Sequence, residues 1–258
     1  MISYNETQYK YVIKTFQRMH MKKFAVIDIR ASSKILKSIE SLGYKIVFSR
    51  PYKGVSKTCS SHPDIFLFRL SNNEIIYAPG TDEKLLDELE KYGITLMEGS
   101  EPPEKYYPGE IKYNAVIIGK HLFHRVDSTD KTIIREAEKR NLELVNVRQG
   151  YTACSVCLVR SNVIITSDTG IHKEAVKRGI ESLLIPPQKN IRLEGVKWGF
   201  IGGSTGKIDD HKLAVAGNIM NLESYTQIEK FLREKGVEII NLSDEEVMDL
   251  GTIMFFTL

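Results

Sequence analysis

Five times along the chain an amphipathic stretch of about ten residues ends on a glycine or an asparagine and gives way at once to a short apolar run. The stops are Gly43, Gly93, Asn141, Gly179 and Gly236, residue types that accept the left-handed backbone closing a helix. Ahead of them, Ser32 to Leu42 sets Ile35, Leu36, Ile39 and Leu42 on one face. Asp82 to Tyr92 does so with Leu85, Leu86 and Leu89, and Glu223 to Lys235 with Ile228, Phe231 and Leu232. That spacing predicts surface helices lying on a sheet. The runs behind the stops begin at Tyr44, Ile94, Leu142, Ile180 and Val237 and carry the β-branched and aromatic residues of strands.

Paired strands precede the helices. Ile65 to Leu70 turns through Ser71-Asn72-Asn73 into Glu74 to Tyr77, and Ser155 to Val159 turns through Arg160-Ser161-Asn162 into Val163 to Thr166. A shorter pair joins Asn114 to Ile118 with His121 to His124 through Gly119-Lys120. In a later unit Phe200 to Gly203 precedes a longer loop and then Lys212 to Gly217. The first helix has only Phe24 to Ile29 ahead of it, and the missing partner is Thr252 to Thr257 at the opposite end. The two ends of the chain are therefore expected to complete one unit together.

A unit of hairpin, helix and strand cannot bury its apolar face alone and is stabilised by its neighbours. The intervals between stops, 50, 48, 38 and 57 residues, are too unequal for a stacked solenoid. The expectation is an α/β fold, a closed five-bladed propeller with pseudo-fivefold repeats over residues 23–258, with residues 1–22 as an arm outside the ring. A doubly wound sheet is the competing architecture.

Charge narrows the partners. With 36 basic against 33 acidic residues the net charge is +3, and the signs are interspersed, which argues against nucleic acid. Three cysteines and 6 histidines supply neither a disulfide framework nor a four-ligand metal spacing, so neither a metal nor a cofactor is expected, and the setting is read as cytoplasmic. Asp209-Asp210-His211 reads as a solvated turn rather than a metal site. No apolar run approaches the ~18 residues of a membrane span. Gly202 to Lys207 looks superficially like a phosphate loop, yet Ile201 stands at the first glycine's place and Ile208 at that of the magnesium-binding hydroxyl.

In a ring of this kind strand ends converge on one mouth of a central channel, which singles out five places. They are His62-Pro63-Asp64, Asn114, Tyr151 to Cys154, Gly202-Gly203-Ser204, and Asp249 to Thr252. Cys154 is the candidate nucleophile if His62 or His211 comes within reach as a base, and a buried inert thiol otherwise. Cys157, three positions along a strand, is expected on the opposite face and in the core. Cys59, in a polar loop, is expected to be more exposed. Asp168 is either a ligand-binding carboxylate or the cap of the following helix.

The pattern resembles the pentein fold of the guanidino-group-modifying enzymes, and in particular a bacterial family assigned to that fold. The resemblance runs from Lys23 to Leu258 and is densest over Gln149 to Cys154, Ile165 to Gly170 and Gly199 to Gly206. It implies that Asp64 matches the carboxylate holding a guanidinium in an early unit, with Asp249 as a second anionic anchor. It also implies a departure. The nucleophilic cysteine of those enzymes belongs to a last-unit Gly-Asn-Ile-His-Cys-x-Thr, and Gly251 to Thr257 puts Phe255 at its place. Their Gly-His-x-Asp meets Gly150-Tyr151-Thr152-Ala153, which lacks both the histidine and the carboxylate. Conventional deiminase or amidinotransferase activity is therefore not inherited. The expected function is binding, and through Cys154 hydrolysis, of a small polar guanidino- or amide-containing metabolite. The alternative is a non-catalytic ligand-binding or ribosome-interaction module, because a ribosomal anti-association factor shares the fold. The oligomeric state is left open by the sequence.

Overall fold

All five stops adopt the left-handed backbone, with φ of 84° at Gly43, 101° at Gly93, 53° at Asn141, 72° at Gly179 and 62° at Gly236. Each therefore ends a helix and turns the chain directly into a strand. The computed structural model describes residues 22–258. Its five helices of nine or ten residues are α1 (Ser33–Ser41), α2 (Glu83–Tyr92), α3 (Lys131–Lys139), α4 (Thr169–Lys177) and α5 (Tyr225–Glu234). Four open on a side-chain cap: Ser32, Asp82, Asp130 and Asp168 accept hydrogen bonds from first-turn backbone N–H groups that would otherwise be orphaned.

Five three-stranded sheets accompany them, one per unit. The first consists of β1 (Lys23–Asp28), β2 (Lys45–Ser49) and the C-terminal β15 (Met254–Thr257). The second holds β3 (Leu67–Arg69), β4 (Glu74–Tyr77) and β5 (Thr95–Glu98); the third, β6 (Val116–Ile118), β7 (His121–His124) and β8 (Glu143–Asn146). The fourth has β9 (Val156–Arg160), β10 (Val163–Thr166) and β11 (Glu181–Leu184), and the fifth β12 (Thr205–Asp209), β13 (Lys212–Val215) and β14 (Glu238–Asn241). In each sheet the middle strand pairs parallel with the strand that follows the helix and antiparallel with its other neighbour, a hairpin partner in four blades and the C-terminal β15 in the first. Residues of β3, β6, β9, β12 and β15 line a common channel of about 480 Å³. The sheets stay separate and surround the channel as five blades.

The core runs from blade to blade as well as under each helix. One apolar cluster joins Ala25 and Ile35 of the first blade to Ala214 and Leu242 of the fifth, and another joins Phe123 and Val145 of the third to Ile164 and Ile171 of the fourth. Burial of this kind makes every unit depend on its neighbours. The ring closes where β15 runs antiparallel to β1, in register from Lys23 opposite Thr257 to Val26 opposite Met254. Lys22 and Leu258 extend the ladder with reciprocal backbone hydrogen bonds of 2.9 and 3.0 Å. The arm expected over residues 1–22 otherwise lies outside the described residues. Among the described residues no helix is long and apolar enough to cross a membrane.

Three local expectations need correction. The strands expected from Ile65 and Ser155 begin later, because Pro63–Phe66 and Thr152–Ser155 each form a single helical turn. Pro63 favours the turn: its fixed φ suits the first helical position, where a missing N–H costs nothing. Opposite-face logic for a strand consequently does not apply to Cys154 and Cys157, since Cys154 sits on the helical turn and Cys157 on β9. The long loop expected before Lys212 contains β12, paired antiparallel with β13. Its Gly206 is buried where a Cβ would lie 2.4 Å from the Ile253 carbonyl, so the glycine marks a close approach between strands rather than a loop.

His124, at the end of β7, is fully buried. Its Nε2 donates to the Gly150 carbonyl at 3.0 Å and its Nδ1 lies 2.7 Å from Thr129 Oγ1. Burial pushes its pKa down to about 4, against the smaller upward pull of the Gly150 hydrogen bond. A base depressed on folding contributes stability that is complete above its ordinary value and lost as pH falls toward the folded value. Acid unfolding is therefore expected to steepen between about pH 6.5 and pH 4, and His124→Gln to flatten that limb in pH-dependent thermal melts. An unchanged limb would contradict the assignment.

Candidate functional site

Two helical turns meet at one end of the channel. The first, Pro63–Phe66, carries Asp64 toward it, and the second, Thr152–Ser155, carries Cys154. Asn114 knits them together. Its Nδ2 donates to the Asp64 carbonyl at 3.1 Å and to Cys154 Sγ at 3.3 Å, while its Oδ1 accepts from the backbone N–H groups of Ala153 at 2.9 Å and Cys154 at 3.3 Å. Asn114 has no exposed surface and its amide bonds groups on both turns, so it holds the two turns together.

Asp64 is the centre of the arrangement. Its Oδ2 accepts from Cys154 Sγ at 3.0 Å and Thr252 Oγ1 at 2.8 Å, whereas its buried Oδ1 has no partner. Burial raises its pKa to about 6, although the donors from Cys154, Thr252 and Asn114 pull it down. The Cys154 thiol is pushed well above its ordinary value, first by burial and then by the charges of Asp64 and Asp249. It is therefore a protonated donor at neutral pH.

Thr252, whose Oγ1 donates to Asp64, has φ of +55°. A β-branched residue in the left-handed region is a backbone outlier costing about 1–3 kcal/mol, a cost that such residues repay at ligand-binding and catalytic positions. Next to it, Gly251 has φ of +68°, and a Cβ there would lie 2.2 Å from His62 Cβ. Gly251→Ala is expected to displace His62 and to cost roughly 2–4 kcal/mol, measured by denaturant unfolding. An alanine variant of wild-type stability would show that this close approach is relaxed in solution.

His62 stands behind Asp64. Its Nδ1 is 3.9 Å from Asp249 Oδ1, its Nε2 is 3.9 Å from Asp28 Oδ2, and Nε2 has no hydrogen-bond partner. Burial lowers its pKa despite both carboxylates, so the ring is neutral. Asp28 is held by a two-pronged contact with Arg30, at 3.0 Å from Nε to Oδ1 and 2.6 Å from Nη2 to Oδ2. Asp249 instead accepts from the backbone N–H groups of Phe200 at 2.8 Å and Gly251 at 3.1 Å. Burial raises the Asp249 pKa.

The other expected site residues fall in different surroundings. Asp64, Gly202 and Thr252 reach the channel wall; Cys154, His62 and Asp249 stand behind it. His211 is exposed on the β12–β13 turn, whereas His62 has a ring nitrogen within 4.8 Å of Cys154 Sγ, so His62 is the histidine brought to the thiol. Asp168 caps α4, accepting from Ile171 N–H at 2.8 Å, and borders a separate hollow of about 160 Å³ beside Ser155 and Trp198. The Tyr151 hydroxyl donates to buried Glu110, and its ring lies between those of Tyr107 and Phe200. Gly203 accepts from the backbone of Leu250 and Thr252 through its carbonyl, and Ser204 Oγ donates to the Phe200 carbonyl at 2.7 Å, so both brace the loop. Gly202 packs against three carbonyls that a Cβ would meet at 2.5–2.6 Å, which lets the fourth and fifth blades touch. Cys59, expected to be exposed, is 93 % buried beside Glu110, since its relative exposure is 7 %. Its pKa is pushed up to about 12 by burial.

Asp28, Arg30 and Glu110 were not singled out by the sequence reading. A signal existed for Asp28, a carboxylate ending the otherwise apolar run Phe24 to Ile27. Glu110 gave none.

The profile of the family of unknown function DUF6873 matches residues 26–254. The chain belongs to that family. No curated protein matches it. Among solved structures, the DUF6873 chain is similar to SxtG, an amidinotransferase from Microseira wollei in the saxitoxin biosynthetic pathway, with TM-score 0.54, 14% identity, and coverage of 94% of this chain and 77% of the other. It is similar to a dimethylarginine dimethylaminohydrolase, with TM-score 0.53, 10% identity, and coverage of 85% and 92%. It also resembles inosamine-phosphate amidinotransferase StrB1 from Streptomyces griseus, with TM-score 0.53, 14% identity, and coverage of 81% and 72%. At such identities the likeness shows the fold alone, and the fold of this DUF6873 protein is that of the pentein propellers.

Proposed function

We propose that this pentein binds a small cationic metabolite, an alkylguanidine or a related amidine, in its channel with Asp64 as the anionic anchor. The observation that carries the reading is the buried Oδ1 of Asp64, a carboxylate oxygen without a hydrogen-bond donor on a residue of the channel wall. A guanidinium N–H supplies the missing donor and a compensating charge together. Leu67, Val116, Val156, Leu158 and Ile253 give the channel an apolar middle suited to an alkyl stem. The similar solved structures are of enzymes named for amidino transfer and for dimethylarginine hydrolysis, which supports the guanidino class.

Binding, not turnover, is the conclusion. Phe255 is 2 % exposed on β15, in the core against Tyr44, and offers no nucleophile. Cys154 stands behind the channel wall with its proton directed to Asp64. Calorimetry with arginine, agmatine and simple guanidines tests the binding, and absence of heat with every member of the series at millimolar concentration would refute it. Hydrolysis is tested separately by assaying ammonia and ureido products. No release is expected; release that disappears in Cys154→Ala would establish the thiol as a nucleophile and replace the binding-only reading.

A further inference from the structure

The cluster of Asp64 on the channel wall with His62 and Cys154 behind it has more ligand atoms than its own hydrogen bonds consume. One ring nitrogen of His62, one carboxylate oxygen of Asp64 and Cys154 Sγ all lie within 4.8 Å of one another. The three residues are at least 98% buried, with relative exposures of 1 %, 2 % and 2 %. Two of their polar atoms, His62 Nε2 and Asp64 Oδ1, are buried without a partner. Buried polar atoms are almost always satisfied, and two orphans in one cluster of nitrogen, oxygen and sulfur donors ask for a ligand common to all three.

Charge points the same way. Asp28 is neutralised by Arg30. Among the described residues neither Asp64 nor Asp249 has a lysine or arginine within ion-pair distance. A buried carboxylate in contact with a thiol and with no lysine or arginine paired to it is the electrostatic setting a divalent ion stabilises.

We infer that His62, Asp64 and Cys154 bind one divalent cation of the zinc class. Thiolate, imidazole and carboxylate together select a borderline-soft metal over magnesium or calcium, which prefer oxygen alone. Bonds of about 2.0–2.3 Å place tetrahedral ligand atoms roughly 3.3–3.8 Å apart, so closing the present spread takes side-chain shifts of about 1 Å. The outer partners are already in place. Asn114 Nδ2 donates to the sulfur at 3.3 Å, Thr252 Oγ1 donates to Asp64 at 2.8 Å, and the Asp249 carboxylate is 3.9 Å from His62 Nδ1, where it can orient the ring. Binding forms the metal–sulfur bond and releases the thiol proton to solvent, so affinity rises with pH. Three protein ligands leave a fourth position for water. The ion and the cationic metabolite both need the Asp64 carboxylate, so the two compete.

Cobalt is the direct probe. Titrating Co²⁺ into the untagged, reduced full-length protein is expected to give one equivalent of a tetrahedral visible spectrum with a near-ultraviolet thiolate-to-cobalt charge-transfer band. Zn²⁺ is expected to abolish that band stoichiometrically. Cys154→Ser and His62→Gln are each expected to weaken zinc binding at least about 100-fold, and Cys59→Ser to leave it unchanged. Absence of the sulfur band in the wild-type protein would overturn the inference without reliance on any variant, as would zinc binding that survives Cys154→Ser. The two readings fail separately: zinc without guanidines removes only the proposed metabolite, and guanidines without zinc remove only the metal.

Discussion

Asp64→Asn is expected to abolish binding of alkylguanidines, lowering affinity by at least about 100-fold, because it removes the charge that offsets the guanidinium and turns an amide N–H donor toward the ligand's own donors. The amide retains most of the local structure, since its oxygen can accept from Cys154 and Thr252 as Oδ2 does. The wild-type protein should show the same requirement through pH. Asp64 has its pKa raised to about 6 by burial, so a proton competes with the ligand below that value. Affinity is expected to rise about tenfold per pH unit up to about pH 6 and then level off. A flat profile across pH 5 to 7 would show that another group anchors the ligand.

Stability should move in the opposite direction. An acid raised on folding contributes stability that is complete below its unfolded value and lost as pH rises through the folded one. Ionised Asp64 therefore costs the fold up to about 3 kcal/mol at neutral pH, a cost absent from the asparagine variant. Thermal melts should show Asp64→Asn exceeding the wild type above pH 6, with the advantage vanishing toward pH 4. Gain of stability with loss of binding separates a ligand anchor from a structural carboxylate, whose removal would only destabilise.

The architecture was legible because its signals are local. A helix face of Leu85, Leu86 and Leu89, a stop at Gly93 and a strand from Thr95 lie within a few residues of one another, and the same order recurs in every unit. The hairpins were legible to the extent that β-branched residues mark them, which is why β10 stood out while β12, with Thr205-Gly206-Lys207 at its start, read as a loop. For the candidate site, the sequence offered residues and not their contacts. Asp64, Asn114, Cys154 and Thr252 were picked out from four distant places and the structure joins them by hydrogen bonds. What the sequence hid was direction. The helical turns before β3 and β9 decide which side chain meets which, and they rest on Asn114 reaching across from another blade. No local pattern encodes that reach.

Ring closure makes the C-terminus a structural keystone, and removal of residues 254–258 is expected to leave no stably folded protein. β15 supplies the inner strand of the first blade, pairing with β1, and without it the channel loses one of five walls. Phe256, 1 % exposed, concentrates the energy of the closure: its ring stacks on Phe24 at 4.8 Å, and the Arg69 guanidinium of the second blade lies 4.3 Å above it. Phe24 in turn stacks on Tyr92 of α2 at 4.4 Å, and Arg69 Nη1 donates to the Phe255 carbonyl at 2.9 Å. Phe256→Ala removes the ring on which both neighbours pack, at a cost of about 3–5 kcal/mol. For a chain of this size that corresponds to a melting temperature lower by roughly 6–20 °C. Because each blade buries its face against the next, the loss should not stay at the seam: protection from hydrogen exchange is expected to fall in β3 and β4 as well as in β1. Loss confined to residues 22–28 and 254–258 would mean that the first and second blades fold independently of their join, and the cooperative ring would have to be abandoned.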